Sequence, residues 1–277
     1  MSVIPFSEKQ RRRNMKNQKN KSLKEIPEEV ERFNIIFRIQ HVIMFTTFLL
    51  LAFTGWGLKF AGLEISSWWI RIWGGARTAG IIHRVAGVTM ILDFAFHVLY
   101  IGYLLITGKM QIRTVTTIIP LPKDVKDVIH NFLYFLGIAK TKPKFGRFSY
   151  TQKFDYWAVF WGMFIIGLSG LALAFPIQAS HLIPEWSTGW IWQLIAILHS
   201  DEALLAIVFI LFWHFYNEHL KPEVFPMSWV WLTGKIPVKE LKQKHPLEYE
   251  LMFKEEPESR EDHNDSPDDS SGEEKGA

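Results

Sequence analysis

Residues 42–58 read VIMFTTFLLLAFTGWGL and contain no charged side chain. Such a run is typical of a helix that crosses a membrane, because the bilayer core is about 30 Å thick and a helix rises about 1.5 Å per residue. Three further apolar runs follow it. We predict spans at about residues 36–58, 81–106, 156–176 and 189–217. The predicted fold class is therefore all-α, an integral membrane four-helix bundle.

The flanking segments divide the chain into four regions. Residues 1–33 form a polar tail, 34–220 hold the four spans, 221–255 form a C-terminal segment, and 256–277 are acidic, rich in Ser and Gly, and predicted to be disordered. Between the second and third spans, apolar residues recur at helical spacing after Pro120 and Pro122. This pattern predicts a short interfacial amphipathic helix on the membrane surface. We find no internal sequence repeat.

Lysine and arginine counts predict the orientation of the spans. Ten lie between the N-terminus and Arg38, and nine lie in residues 107–155, against three in residues 59–80 and none in residues 177–188. Because basic loops stay on the cytoplasmic side, we expect both termini and the 107–155 loop to be cytoplasmic.

The composition limits the chemistry that the chain can support. It has no cysteine, which excludes disulfides, thiolate-held iron–sulfur clusters, cysteine zinc sites and covalently attached c-type haem. The net charge of +3 gives no argument for a nucleic-acid partner. A redox cofactor would therefore need other ligands, and the chain offers ten histidines.

Two spans each carry a pair of histidines. His83 and His97 lie 14 residues apart in the second span, and His199 and His214 lie 15 apart in the fourth. Each pair is separated by roughly 21–22 Å along its helix and lies on nearly the same face. Two such helices facing each other can hold two stacked haems with two imidazoles on each iron, which suits electron transfer because no open coordination site remains.

A fifth histidine leaves the inner layer ambiguous. His83 and His199 form the outer layer, whereas His41, His97 and His214 all reach the inner one. His41 and His97 are alternative partners of His214 unless a third haem uses both. Arg38 and Arg84, which flank His41 and His83, are candidates to pair with haem propionates, or they anchor the helices at the interface.

Five stretches together resemble a known family. They are RFNIIFRIQHVIMFTTFLLLAFTG (32–55), GIIHRVAGV (80–88), YTQKFDYWAVFWGMFIIGLSG (150–170), LHSDEALLAIVFILFWHFYNEHL (198–220) and KQKHPLEYE (242–250). In this order they are similar to the di-haem cytochrome b subunits of membrane-bound formate dehydrogenases (the gamma subunit) and nickel–iron hydrogenases, over about residues 30–252.

The resemblance implies a set of site residues. It implies an outer haem b on His83 and His199, an inner haem b on His41 and His214, and a quinone near His214, Tyr150 and Gln152. Two features depart from it: His97 has no ligand counterpart there, and the spacing of 15 in the fourth span is one residue longer. In both features the chain also resembles the cytochrome b/b6 group, where both inner ligands come from the two-histidine helices. The choice between His41 and His97 therefore stays open.

The expected function is electron transfer in a respiratory oxidoreductase of the bacterial inner membrane. The chain would link the quinone pool to a redox partner on the periplasmic face, either an iron–sulfur subunit of a molybdenum or nickel–iron enzyme or a multihaem cytochrome c. The substrate chemistry would belong to other subunits. Two alternatives are a stand-alone cytochrome b561-type reductase and a haem-free four-helix transporter or anchor.

Overall fold

The computed structural model of the protein describes residues 27–110, 117–184, 186, 188–222 and 224–253. Most of the predicted N-terminal tail and the whole acidic tail at 256–277 lie outside these residues. In chain order the helices are α1 (Ile35–Lys59), α2 (Glu64–Ile72), α3 (Ala76–Ile106), α4 (Pro122–Phe135), α5 (Tyr150–Ala174), α6 (Pro176–Ser180), α7 (Thr188–Val208), α8 (Val230–Thr233), α9 (Val238–Lys244) and α10 (Pro246–Phe253). The strands are β1 (Glu29–Glu31) and β2 (Lys235–Pro237).

Four helices, α1, α3, α5 and α7, are long and apolar enough to cross a membrane, which confirms the all-α four-helix prediction. The fourth continues beyond α7 as π-helix over Phe209–His214 and Tyr216–Leu220. Helix α1 packs on α3, and α5 packs on α7. Many large apolar side chains remain exposed, including Leu92, Leu99, Trp161 and Phe212. These side chains face hydrocarbon in a bilayer, where their exposure carries no hydrophobic penalty.

The third long helix begins six residues before the predicted start. Ser149 and Gln152 form a capping box, in which the Ser149 hydroxyl accepts from the Gln152 N–H and the Gln152 side chain accepts from the Ser149 N–H. Hydropathy does not detect this start, because the first two turns contain Lys153 and Asp155. Both side chains are nevertheless buried, with 7% of their surface exposed.

The amphipathic helix between the second and third spans is confirmed as α4. One side of α4 is bound to α5, because Lys153 Nζ of α5 donates to both carboxylate oxygens of Asp124 of α4 at 2.8 and 2.9 Å. Asn131 donates to the Tyr150 hydroxyl at 2.8 Å. The apolar side chains of Val125, Ile129 and Phe132 remain exposed. Its position on the membrane surface stays a prediction.

Residues 59–80, which we expected to be a loop, contain helix α2. The indole of Trp69 donates to the Phe53 carbonyl at 2.7 Å and joins α2 to α1. At the crossing, a Cβ on Gly57 would lie 2.8 Å from Ile70, so only glycine permits this approach.

Three distant segments form a cap at one end of the bundle. Strands β1 and β2 pair antiparallel, with Val30 opposite Ile236. Glu248 accepts from Arg32 and from Arg147 at 2.8 Å each. The N-terminal segment, the 107–155 loop and the C-terminal segment therefore lie on the same side of the bundle.

Buried charge is concentrated in this cap. Burial lowers the pKa of Arg32, and the paired Glu248 carboxylate opposes that effect. Burial and the neighbouring Arg32 lower the pKa of His245 to about 4. His245 Nδ1 lies 2.7 Å from the Gly146 carbonyl, and its Nε2 lies 3.2 Å from Arg32 Nη2. A neutral imidazole fits both contacts, since Nδ1–H donates and Nε2 accepts.

One glycine permits the cap to close. Gly234 has φ +76°, and its carbonyl accepts from the backbone N–H groups of Arg32 and Phe33. A Cβ at this position would collide with the Phe33 carbonyl oxygen. The backbone of the C-terminal segment therefore passes directly against the entry to α1.

Candidate functional site

The outer layer brings His83 on α3 opposite His199 on α7, with ring centroids 6.2 Å apart. Metal–nitrogen bonds of about 2 Å, plus about 1 Å from each nitrogen to its ring centre, place two imidazoles on opposite sides of one iron about 6 Å apart. The separation of these two rings therefore fits a shared iron.

The hydrogen bonds of His83 identify which of its nitrogens is free to bind a metal. The Thr54 hydroxyl donates to the Leu50 carbonyl at 2.6 Å, so its oxygen accepts from His83 Nδ1 at 2.9 Å. A neutral imidazole with its hydrogen on Nδ1 carries the lone pair on Nε2. The protein thus orients His83 as a metal-binding histidine is usually oriented, by a hydrogen bond on its other nitrogen.

His199 is held by the same arrangement on the other helix pair. The Ser169 hydroxyl donates to the Ile165 carbonyl at 2.5 Å. Nδ1 of His199 lies 3.0 Å from the Ile166 carbonyl and 3.4 Å from Ser169 Oγ. Because a carbonyl only accepts, the hydrogen is on Nδ1, and Nε2 keeps its lone pair.

A glycine lies against each outer imidazole. A Cβ on Gly55 would lie 3.1 Å from His83 Cε1, and a Cβ on Gly170 would lie 2.9 Å from His199 Cε1. Both approaches are tighter than an ordinary side-chain contact. These two glycines therefore leave the space in which the rings stand.

The inner layer places His214 beside a buried carboxylate. His214 Nδ1 lies 3.2 Å from Asp155 Oδ2, and an ionised carboxylate only accepts, so His214 donates through Nδ1 and its Nε2 lone pair is free. His41 lies close enough to His214 to interact with it electrostatically. Nδ1 of His41 is buried without a hydrogen-bond partner among the described residues, and its ring contacts Trp231. Each of these histidines therefore has one ring nitrogen, Nε2 of His214 and Nδ1 of His41, without a hydrogen-bond partner among the described residues.

His97 differs from the other four histidines. Its Nδ1 lies 3.4 Å from Gln40 Oε1 and its Nε2 lies 3.3 Å from the Tyr156 hydroxyl. The Gln40 oxygen accepts from Nδ1–H, so the Tyr156 hydroxyl donates to the Nε2 lone pair. Both ring nitrogens are thus occupied by protein groups.

The π-helix accounts for the unusual spacing in the fourth span. A π turn uses i→i+5 hydrogen bonds and holds one residue more than an α turn. The π segment Phe209–His214 begins after His199 and ends at His214 itself. With this extra residue, His214 lies about where the residue 14 positions after His199 would lie in an uninterrupted α-helix. Such local π segments are frequent at functional sites.

The two helix pairs repeat one pattern of contacts. Between α1 and α3, Gln40 faces His97 and Thr54 faces His83. Between α5 and the fourth span, Asp155 faces His214 and Ser169 faces His199. Gln40 precedes Thr54 by 14 residues, and Asp155 precedes Ser169 by 14. We call this the repeated contact pattern. The pattern does not show as an internal sequence repeat, because the corresponding residues of the two helix pairs differ in identity.

The arginines near the two layers have no acidic partner among the described residues. Arg84 follows His83 directly, and the Arg38 Nε atom is buried without a hydrogen-bond partner in this part of the chain. Their positive charges are therefore available to an anionic group.

The remaining sequence-predicted residues lie at the start of α5. Tyr150 accepts from Asn131 and packs against Phe145, while Gln152 belongs to the capping box. Sequence reasoning missed Asp155 and Tyr156, which follow in the next turn. The available signal was a carboxylate within an otherwise apolar helix, and such residues are functional candidates.

Comparison with known proteins identifies the family. The family model of prokaryotic cytochrome b561 matches residues 32–217, and the chain belongs to this family. A search of the curated proteins finds no match. With its four apolar helices, the chain is a multi-pass membrane cytochrome that binds b haem and transfers electrons. The match does not extend to the formate dehydrogenase gamma subunit that the sequence resembles.

Proposed function

We propose that this member of the prokaryotic cytochrome b561 family carries electrons between a redox partner at the periplasmic face and a quinone near the cytoplasmic face. His83 and His199 hold the outer haem, and His41 and His214 hold the inner one. Bound haem b supplies reversible one-electron transfer, while the protein orients the ligands and fixes their electrostatics.

The proposal depends most on the geometry of His83 and His199. Their rings stand 6.2 Å apart across the bundle, and each Nδ1 already donates to a protein acceptor. A proton relay of the transporter alternative would need no such spacing. The same pair leaves no open position on an iron, which favours electron transfer over oxygen chemistry.

Hydrogen bonding supports His41 over His97 as the partner of His214. The lone pair of His97 accepts from Tyr156, so binding a metal would require this contact to break. His41 has a buried nitrogen without a partner among the described residues, and an unpaired buried polar atom is costly. We therefore propose two haems and no ligand role for His97.

The cap supports the proposed orientation in the bacterial inner membrane. Arg32, Arg147 and Glu248 join the three segments that the charge distribution assigns to the cytoplasm. The inner layer lies toward this cap, because His41 contacts Trp231 of the C-terminal segment. In this orientation Arg38 and Arg84 would pair with the propionates of the inner and outer haems.

We place the quinone near His214, Tyr150 and Gln152. The first turn of α5, which carries Tyr150 and Gln152, is followed directly by Asp155, whose carboxylate contacts His214. A quinone at this end would exchange electrons with the inner layer and protons with the cytoplasmic side. The periplasmic partner would be the iron–sulfur subunit of a molybdenum or nickel–iron enzyme, or a multihaem cytochrome c, as the resemblance to formate dehydrogenase and hydrogenase subunits implies.

Haem content per polypeptide in detergent-purified protein tests this proposal. We expect two b haems in the unmodified protein, with His199→Ala removing the outer one and His214→Ala the inner one. His130→Ala, which changes an exposed histidine on α4, should keep both. Haem-free folded protein would instead support the transporter or anchor.

Reduction by a short-chain quinol tests the quinone assignment. We expect the quinol to reduce the purified protein, and His214→Ala to slow this reduction more than His199→Ala. Co-purification with an iron–sulfur or multihaem protein would support the periplasmic partner. Reduction by a small diffusible donor in a protein that purifies alone would support the stand-alone reductase.

A further inference from the structure

The four proposed ligands do not share the same kind of hydrogen-bond acceptor. His83 Nδ1 donates to the Thr54 hydroxyl, and His199 Nδ1 lies against the Ile166 carbonyl. Both acceptors are neutral. His214 Nδ1 instead donates to the carboxylate of Asp155, a buried residue with 7% of its surface exposed.

No basic side chain neutralises Asp155 in the described part of the chain. The nearby Lys153 is paired with Asp124, and Asp155 Oδ1 is buried without a hydrogen-bond partner among the described residues. Glu218, on the π-helical end of the fourth span, interacts electrostatically with both His214 and Asp155. Glu218 also interacts electrostatically with Lys221, Lys244 and Arg32, so the argument for the inner layer rests on Asp155.

Among the residues that the structure describes, the outer layer has no equivalent carboxylate. Its nearest carboxylate along the fourth span belongs to Asp201, which is exposed and paired with Lys59 at 2.5 Å. Each layer has one arginine beside a ligand, Arg84 after His83 and Arg38 before His41. The arginines therefore balance between the layers, and the difference that remains is the carboxylate on His214.

We propose that Asp155 is a positioning residue that lowers the reduction potential of the inner haem below that of the outer haem. A carboxylate that accepts from Nδ1–H makes the imidazole a stronger donor, and a nearby negative charge favours the ferric ion over the ferrous one. This inference rests on the proposed function, because it requires His214 to be a haem ligand.

The inference has a consequence for the half-reduced protein. With both haems bound, a single added electron would be expected at the outer site, because the negative charge of Asp155 would disfavour reduction of a haem held by His214. Transfer of an electron from the inner to the outer layer is then favourable within the protein. Thr54 and Ser169 exert no such effect, since hydroxyl groups carry no charge.

Potentiometric titration of the purified protein tests this role through Asp155→Asn. This variant keeps the size and a hydrogen-bond acceptor but removes the charge. We expect two haems to remain bound and the inner haem to be reduced more readily by about tenfold or more in its equilibrium constant, or about 59 mV for a one-electron couple. The outer haem should keep its potential. An unchanged inner potential with both haems present would overturn the proposal.

The repeated contact pattern supplies a matched control. Gln40→Asn alters the equivalent contact to His97, which we assign no ligand role, and should leave both potentials unchanged. A shift of the inner potential in Gln40→Asn as large as that in Asp155→Asn would indicate a general packing effect and contradict the role of Asp155.

A second variant keeps the test decisive if Asp155→Asn loses the inner haem. Asp155→Glu retains a carboxylate, so it must bind the inner haem at a potential close to that of the unmodified protein. Failure of Asp155→Glu to do so overturns the inference. Failure of the proposed function gives a different result, since His214→Ala would then keep both haems. The spectrum of the oxidised low-spin iron should also change in Asp155→Asn for the inner haem only.

Discussion

The carboxylate of Asp155 occupies on α5 the place that the amide of Gln40 occupies on α1. Each precedes by 14 residues the hydroxyl that lies against an outer histidine, and each contacts a histidine one layer deeper. The two helix pairs are thus alike in the outer layer and different in the inner one. In the inner layer, His97 contacts an amide and His214 contacts a carboxylate, and the experiments below use this difference.

Replacing His97 and His41 separately should distinguish their roles. His97→Gln should keep two haems per polypeptide, because His97 already uses both nitrogens within the protein. His41→Gln should lose the inner haem, because His41 is the proposed partner of His214 on that iron and His97 has no free lone pair to replace it. Pyridine haemochrome analysis measures the difference. Loss of one haem in both variants would indicate a third haem or a collapsed site.

Gly170→Ala should weaken the outer site. Its Cβ would lie 2.9 Å from His199 Cε1, so the imidazole must move away from His83. A displaced ligand typically weakens metal binding by about 10-fold or more. Haem content and the outer potential measure the effect. In Gly162→Ala the nearest atom lies 3.9 Å from the new Cβ, so this control should behave as the unmodified protein; equal loss in both would contradict the role of Gly170.

Deleting Phe212 should be tolerated. Its side chain is 75% exposed, and it lies within the π segment Phe209–His214. Removing one residue allows the segment to return to α-helical hydrogen bonding with His214 on the same face. We expect two haems in the deletion variant. Inserting one alanine after Phe212 should rotate His214 away and remove the inner haem, and if the insertion kept it, our account of the spacing would be wrong.

The stability of the cap should depend on pH through His245. Its pKa is about 4 in the folded protein and 6.5 ordinarily, so the unfolded segment binds the proton first. The contribution of neutral His245 is therefore complete above about pH 6.5 and is lost as the pH falls toward 4, by at most about 1.4 kcal/mol per pH unit. Hydrogen exchange of the backbone amides in residues 235–249 measures this loss.

The matched variant for this pH effect is His245→Gln, which keeps a polar side chain that does not titrate. Its cap should exchange at rates that vary much less between pH 6.5 and 4. An equally steep dependence in the variant would assign the effect to another group.

Local features of the sequence predicted the four spans and helix α4, because hydropathy and helical periodicity depend on neighbouring residues alone. The outer pair was also predictable, since only His83 and His199 reach that depth. The choice between His41 and His97 depends on the partner of each ring nitrogen, and Tyr156 gave no sign that it would reach His97. Asp155 was missed because Lys153, two residues before it, made this turn look like a solvated helix start.

The cap was harder to predict for a different reason. Strands β1 and β2 have three residues each, which is too short for an alternating pattern, and they pair across more than 200 positions. Helix α2 escaped detection because its nine residues mix tryptophan with charged side chains typical of an interfacial loop.

The pairing of β1 with β2 also sets an order for biosynthesis. The contacts of the outer layer are complete once His199 has been made, whereas Trp231, which covers His41, and Gly234, which closes on Phe33, are synthesised after all four long helices. Strand β1 therefore cannot pair with β2 until the four long helices have been synthesised. The inner layer thus remains uncovered at the cap end of the bundle until residues 231–234 have been synthesised, whereas the outer layer needs no later segment of the described chain.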